Sequence, residues 1–92
     1  EDALIDLAAN AITLSAFKTT GQRCVSGGRA IIHKKIFDQV AAAVVERAKR
    51  IRFGDPFDKK SFAGPLVNQA GVDKVTFYND LARKEGAQIL LE

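Results

Sequence analysis

The sequence holds one cysteine, Cys24, within Phe17-Lys18-Thr19-Thr20-Gly21-Gln22-Arg23-Cys24-Val25-Ser26-Gly27-Gly28-Arg29. A glycine-bearing loop lets a ligand approach the backbone closely. A cysteine there can act as a nucleophile, since the thiolate is the attacking form. An ordinary thiol is only about 3% ionised at neutral pH, and a neighbouring cation raises that fraction. Arg23 is adjacent in sequence, although adjacent side chains often point apart. Against this stands a plain packing role, because a free cysteine is among the most buried residue types and behaves as a small hydrophobe. Composition and spacing leave both readings open. A single cysteine does exclude an intramolecular disulfide and a thiol-rich metal site.

The flanking pattern predicts the elements that hold this loop. Asp2 is a candidate helix cap. Leu4, Leu7, Ala8, Ala11, Ile12 and Ser15 follow at helical spacing, giving a first helix to about Phe17. Thr19-Thr20-Gly21 breaks it, since β-branched residues and glycine are poor helix formers. After the loop, Ala30-Ile31-Ile32-His33 reads as a short strand. A second helix follows, with Ile36, Phe37, Val40, Val44, Val45, Ala48 and Ile51 on one face and Arg47, Lys49 and Arg50 near its C-terminus. Gly54, Pro56, Gly64 and Pro65 punctuate a long connection. Asn68 is a plausible cap for a third helix, with Val72, Val75, Tyr78, Leu81 and Ala82 as its apolar face. Gly86 ends that helix, and Ala87 to Leu91 reads as a final strand. Strands separated by helices predict an α/β fold with a parallel sheet. Two strands make a poor sheet, so the apolar faces call for partners that the chain barely supplies.

Composition narrows the function classes. With 92 residues the chain forms at most one small domain, marginal on its own. Its 27% charged and 47% apolar residues are ordinary for a soluble globular protein. No apolar run reaches the roughly 20 residues of a membrane span, and no basic, apolar leader opens the chain. The net charge of +3 is spread through short doublets such as Lys34-Lys35, Lys49-Arg50 and Lys59-Lys60, interleaved with acids. A nucleic-acid surface would want a concentrated stripe with stacking aromatics. The free thiol fits a reducing, cytoplasmic setting. The absence of methionine, with Glu1-Asp2 already inside a helix-start signal, suggests a piece of a longer polypeptide.

Gly21-Gln22-x-Cys24, with Phe17 four residues before the glycine, resembles the active-site cysteine motif of the NAD(P)-dependent aldehyde dehydrogenase superfamily. The similarity extends through Arg29, Ile36-Phe37-Asp38, Glu46-Arg47-Ala48-Lys49, Gly54-Asp55-Pro56-Phe57-Asp58, Gly64-Pro65-Leu66 and Glu85-Gly86-Ala87, without inserted gaps. The four-residue core alone is a weak signal; the ordered set is strong. The resemblance implies that residues 1–92 are an internal segment of the α/β, three-layer catalytic domain. Helix, cysteine loop, strand, helix, helix and strand would follow in that order, without a complete dinucleotide-binding domain.

The resemblance implies a catalytic role for Cys24. Its thiolate would attack an aldehyde to form a thiohemiacetal, with the oxyanion held by backbone N–H groups, that of Cys24 included, and by an asparagine. Hydride would pass to NAD or NADP, and a glutamate-activated water would release the acid from the thioester. That asparagine, the glutamate and most of the cofactor site lie outside this segment in the family, so the chain alone is expected to be inactive. Phe17, Lys18, Arg23 and Val25 fall at positions implied to line the aldehyde site. Lys18 and Thr19 stand where an aromatic and an asparagine are common, and Ser26 stands where another small residue is usual. Lys18 reads either as a partner for a substrate carboxylate or as a solvated lysine. Lys74 matches a position near the nicotinamide ribose or is a plain surface lysine; Gly71 in place of a polar residue weakens the cofactor reading. His33 fits a structural role.

The partners implied are a small-molecule aldehyde and the remainder of the parent polypeptide, itself a homodimer or homotetramer, with no nucleic acid and no membrane. Two alternatives stand beside the hydrolytic enzyme. One is a CoA-acylating semialdehyde dehydrogenase, which needs no hydrolytic glutamate. The other is a non-catalytic α/β fragment with Cys24 a bystander.

Overall fold

The structure, a computed structural model, describes residues 3–91. Three α-helices and one 3-10 turn make up its regular elements: α1 (Ile5–Phe17), the 3-10 turn Lys18–Gly21, α2 (Phe37–Lys49) and α3 (Gln69–Lys84). The first helix stops at Phe17, as its apolar spacing predicts. The proposed cap Asp2 lies outside the described residues; Leu4 occupies the N-cap and offers no side-chain cap.

α1 and α2 pack on each other and form the core. The inward face of α1 is made of small residues: Ala9 is fully buried, and Thr13 is buried with its hydroxyl donating to the Ala9 carbonyl at 2.8 Å. Val40 of α2 is the one large side chain, among the described residues, that is fully enclosed. The expected face of α1 is therefore corrected. Leu4, Leu7 and Leu14 point to solvent, at 72%, 64% and 50% exposure. A helix that is apolar nearly all round has no single buried stripe. Its small side lets α2 approach, and its leucines are left facing outward. Arg47 of α2 crosses to α1, donating to Asn10 Oδ1 at 2.5 Å and to Asp6 Oδ1 at 3.4 Å. Both acceptors are exposed, so the pair orients the helices more than it stabilises them.

α3 packs against neither α1 nor α2. Its ends are well specified locally. Asn68 accepts from the Gly71 N–H at 2.9 Å, the predicted N-cap. Gly86, at φ +83, ends the helix, with Ala87 N–H donating to Ala82 O and Gly86 N–H to Arg83 O. That paired closure is the left-handed terminus glycine favours. Yet Val72, Val75, Phe77 and Tyr78 all remain exposed.

The two predicted strands are not formed among the described residues. Residues 30–33 and 87–91 carry no ladder, and one isolated parallel bridge, Phe53 to Ala63, is the only β pairing there. A strand exists only through its neighbour. No β pairing joins these two segments, and Ile31 is fully exposed. The expected sheet is thus corrected to a helical arrangement with extended connections.

The accessible surface is 7546 Å². A compact 10 kDa monomer would expose about 5,200 Å². The radius of gyration, 14.3 Å, likewise exceeds the roughly 12 Å expected of a compact chain of this length. Large apolar faces therefore have no partner among the described residues. Since the core rests on α1 against α2, Val40→Ala is expected to destabilise it by about 1.5–3 kcal/mol. Phe37→Ala, at a half-exposed site, is expected to cost less than about 1 kcal/mol. Urea unfolding followed by helical circular dichroism separates the two; equal shifts would contradict this core.

Candidate active site

Cys24 is exposed, on a tight turn just beyond the 3-10 segment. The turn runs from Arg23 to Ser26. The Ser26 N–H donates to the Arg23 carbonyl at 3.0 Å, and the Arg23 N–H donates to Ser26 Oγ at 3.2 Å. Cys24 and Val25 are the two central residues, and neither backbone N–H donates to an acceptor among the described residues.

The route into the turn is unusual. Lys18 is extended, at φ −60 and ψ 142, and then Thr19, Thr20 and Gly21 all take left-handed backbone, with φ of 53, 60 and 68. Two consecutive β-branched residues there are true outliers. Gly21 is the residue this path needs most. A Cβ at Gly21 would lie 2.9 Å from the Ala16 carbonyl oxygen, as well as carrying a positive φ.

Side chains tie the path to distant chain. Thr20 Oγ1 donates to the Gly64 carbonyl at 2.7 Å, and Gln22 Oε1 accepts from the Val67 N–H at 3.3 Å. Beyond the turn, the Gly27 N–H donates to both the carbonyl (3.1 Å) and Oγ (3.0 Å) of Ser15 on α1. A Cβ on Gly27 would sit 2.9 Å from that Oγ, so glycine allows the close approach.

The sequence-predicted residues are only partly brought together. Arg23 and Val25 flank Cys24 on the turn, both exposed. Lys18 begins the 3-10 segment, exposed and without an ion pair among the described residues. Phe17 lines an apolar groove of about 810 Å³ with Val44, Val45, Ala48, Phe53 and Leu90, and a smaller one with Gly27, Gly28 and Arg29 of the cysteine loop; Cys24 lines neither. Lys74 stands exposed on α3, with no bond to the cysteine turn. His33 Nδ1 accepts from the Lys35 N–H at 3.2 Å, a local structural role. No cluster of three or more histidine, cysteine or acidic residues that could hold a metal occurs among the described residues. No helix among them is long and apolar enough to cross a membrane.

Comparison with known proteins decides what this turn belongs to. The model of the aldehyde dehydrogenase family matches residues 1–92. The chain belongs to the aldehyde dehydrogenase family. It is 40% identical over 85 residues to 1-pyrroline-5-carboxylate dehydrogenase 1 of Halalkalibacterium halodurans, covering 92% of the chain and 16% of that relative. It is 40% identical over 89 residues to betaine aldehyde dehydrogenase of Brucella anthropi, covering 97% of the chain and 18% of the relative. The crystal structure of HpcC from Thermus thermophilus superposes with a TM-score of 0.93 at 34% identity, over 98% of this chain and 18% of that one. The chain thus spans about a sixth of the length of the relatives it matches.

The described residues do not form a complete nicotinamide dinucleotide site by themselves. Apolar side chains line most of the groove beside Phe17. At the start of α3 the Gly71 N–H is already taken by Asn68. Nor does the sequence contain a glycine-rich phosphate loop.

Sequence reasoning read Thr20 only as a helix breaker, and Ser26 and Gln22 only as motif positions. Ser26 closes the turn, and Thr20 and Gln22 anchor it from outside. A threonine beside a glycine, where the chain must leave a helix, was the available signal. The positive φ at Gly21 carries a direct consequence. Gly21→Ala is expected to accelerate tryptic cleavage after Arg23 by roughly five- to tenfold, the effect of about 1–1.4 kcal/mol of local strain. An unchanged cleavage rate would contradict the left-handed path.

Proposed function

We propose that this chain supplies the nucleophile of an NAD(P)-dependent aldehyde dehydrogenase and that Cys24 is that nucleophile. The observation carrying the reading is an exposed cysteine at the head of a turn with two uncommitted backbone N–H groups, inside a family match that spans the chain. The Cys24 thiolate adds to the carbonyl carbon of an aldehyde. A carbon–sulfur bond forms, the carbonyl π bond breaks, and its electron pair goes to the oxygen. The N–H groups of Cys24 and Val25 are the donors proposed to receive that oxyanion.

The chemistry assigned to these residues stops at this adduct. Oxidation of the adduct to a thioester, and release of the acid, call for NAD or NADP and a general base held by other parts of the polypeptide. Those parts, and a dimeric or tetrameric parent in the cytoplasm, belong to the same proposal, in keeping with the single free thiol.

Cys24→Ser in the intact enzyme is expected to lower aldehyde oxidation by at least about 10³-fold, as removal of a covalent nucleophile does. Turnover within tenfold of the unchanged enzyme would exclude Cys24 as the nucleophile.

The substrate class follows from Lys18. It is a cation six residues before the nucleophile, exposed and without an ion pair among the described residues. One relative is named for a carboxylate-bearing substrate, 1-pyrroline-5-carboxylate. The substrate proposed is accordingly an aldehyde carrying a carboxylate. Lys18→Gln is expected to lower kcat/KM for a semialdehyde about fivefold relative to a neutral aldehyde of equal length, worth about 1 kcal/mol of ion pairing. An unchanged ratio would make Lys18 a solvated lysine.

A further inference from the structure

We propose that the Thr20 hydroxyl and the Gln22 carboxamide are positioning groups that set the place of the Cys24 sulfur by clamping its loop to residues 64–67. The inference rests on the reading of Cys24 as the nucleophile. It concerns two residues that do not touch the reacting atoms.

The observations begin with an apparent mismatch. Threonine is poorly suited to left-handed backbone, yet Thr19 and Thr20 both adopt it. Each such residue costs of order 1–3 kcal/mol and persists only where surroundings over-determine it. Glycine or asparagine would sit there with less strain. What Thr20 adds is reach. Its hydroxyl donates to the Gly64 carbonyl at 2.7 Å, across 44 positions of sequence, at a partly buried site. Thr19 offers a contrast: exposed, its hydroxyl bonds only the neighbouring Lys18 carbonyl at 2.6 Å.

Gln22 makes the second tie, accepting from the Val67 N–H at 3.3 Å. Thr20 and Gln22 bracket Gly21, whose positive φ fixes the direction of the chain. They lie four and two residues before Cys24. The far side is fixed by Gly27 on Ser15. The nucleophile thus sits on a turn pinned at both ends, to α1 on one side and to the Gly64–Val67 connection on the other. No other bond between this loop and residues 64–67 appears among the described residues. Removing these two would free the incoming arm and let the sulfur drift. A displacement of about 1 Å at a nucleophile can cost up to roughly 10²-fold in rate.

The test uses the intact enzyme, with T20V, T20S, Q22M and C24S compared by steady-state kinetics and thermal melting, and with T20V, T20S and Q22M also compared by the rate of Cys24 alkylation by iodoacetamide. Valine keeps the shape and β-branching of threonine and removes only the hydroxyl. T20V is expected to lower kcat about ten- to a hundredfold with KM changed less than about threefold. T20S is expected to restore most of that loss, and Q22M to reproduce it in part. Alkylation, which needs an exposed thiolate and not its exact placement against a substrate, is expected to stay within about threefold. Rates are taken per mole of folded protein, so a loss of folded enzyme does not mimic a loss of kcat. Unchanged kcat in T20V and Q22M, or T20S as impaired as T20V, would overturn the clamp. An inactive C24S beside a fully active T20V would remove this inference and leave the nucleophile in place. An active C24S would remove both.

Discussion

The left-handed backbone from Thr19 to Gly21 is the constraint on which the rest of the site depends. It turns the chain out of α1 within two residues of Phe17 and delivers Cys24 to the head of a turn instead of the side of a helix. Every contact that shapes the turn is a consequence. Ser26 can close back on Arg23, Gly27 can return to Ser15, and Thr20 and Gln22 can reach residues 64–67, only because the chain has reversed there. The energy stored in that path is held by hydrogen bonds of long sequence span, a pattern expected where geometry serves chemistry more than stability.

The scaffold behind the turn is lopsided. α1 and α2 lock through Ala9, Thr13 and Val40, with Arg47 setting their orientation. α3 is correctly capped at both ends yet packs on neither helix. Leucines on α1, aromatics on α3 and the apolar groove beside Phe17 all face water. Apolar faces on that scale are the mark of surfaces meant to be covered. They agree with a segment whose relatives are about six times its length.

Much of this was legible in the sequence, for reasons of local physics. The ends of α3 were readable because Asn68 and Gly86 act within a turn of their own positions. The apolar face of α2 was readable in part: Val40 is buried at the contact with α1, while Phe37 is exposed and Val44, Val45 and Ala48 line an open groove. The loop around Cys24 was readable from glycine and motif. The inward face of α1 was not, because a helix apolar on most sides gives periodicity no stripe to find. The strands at 30–33 and 87–91 failed for a different reason: β-branched composition describes a residue's preference, while a strand needs a neighbour to exist. The Thr20 and Gln22 ties were invisible because each spans more than 40 residues, and no local rule links a threonine to a carbonyl so far away. Phe17, expected near the substrate from its position in the motif, lines grooves beside both α2 and the cysteine loop.

The most direct test of the central claim is chemical. Intact enzyme turning over an aldehyde with NAD or NADP is quenched in acid, digested with trypsin and mapped by mass spectrometry. The account predicts the acyl group of the substrate on the peptide that begins at Cys24 and ends at Arg29. Turnover with that peptide unmodified, and the acyl group on another residue, would contradict it.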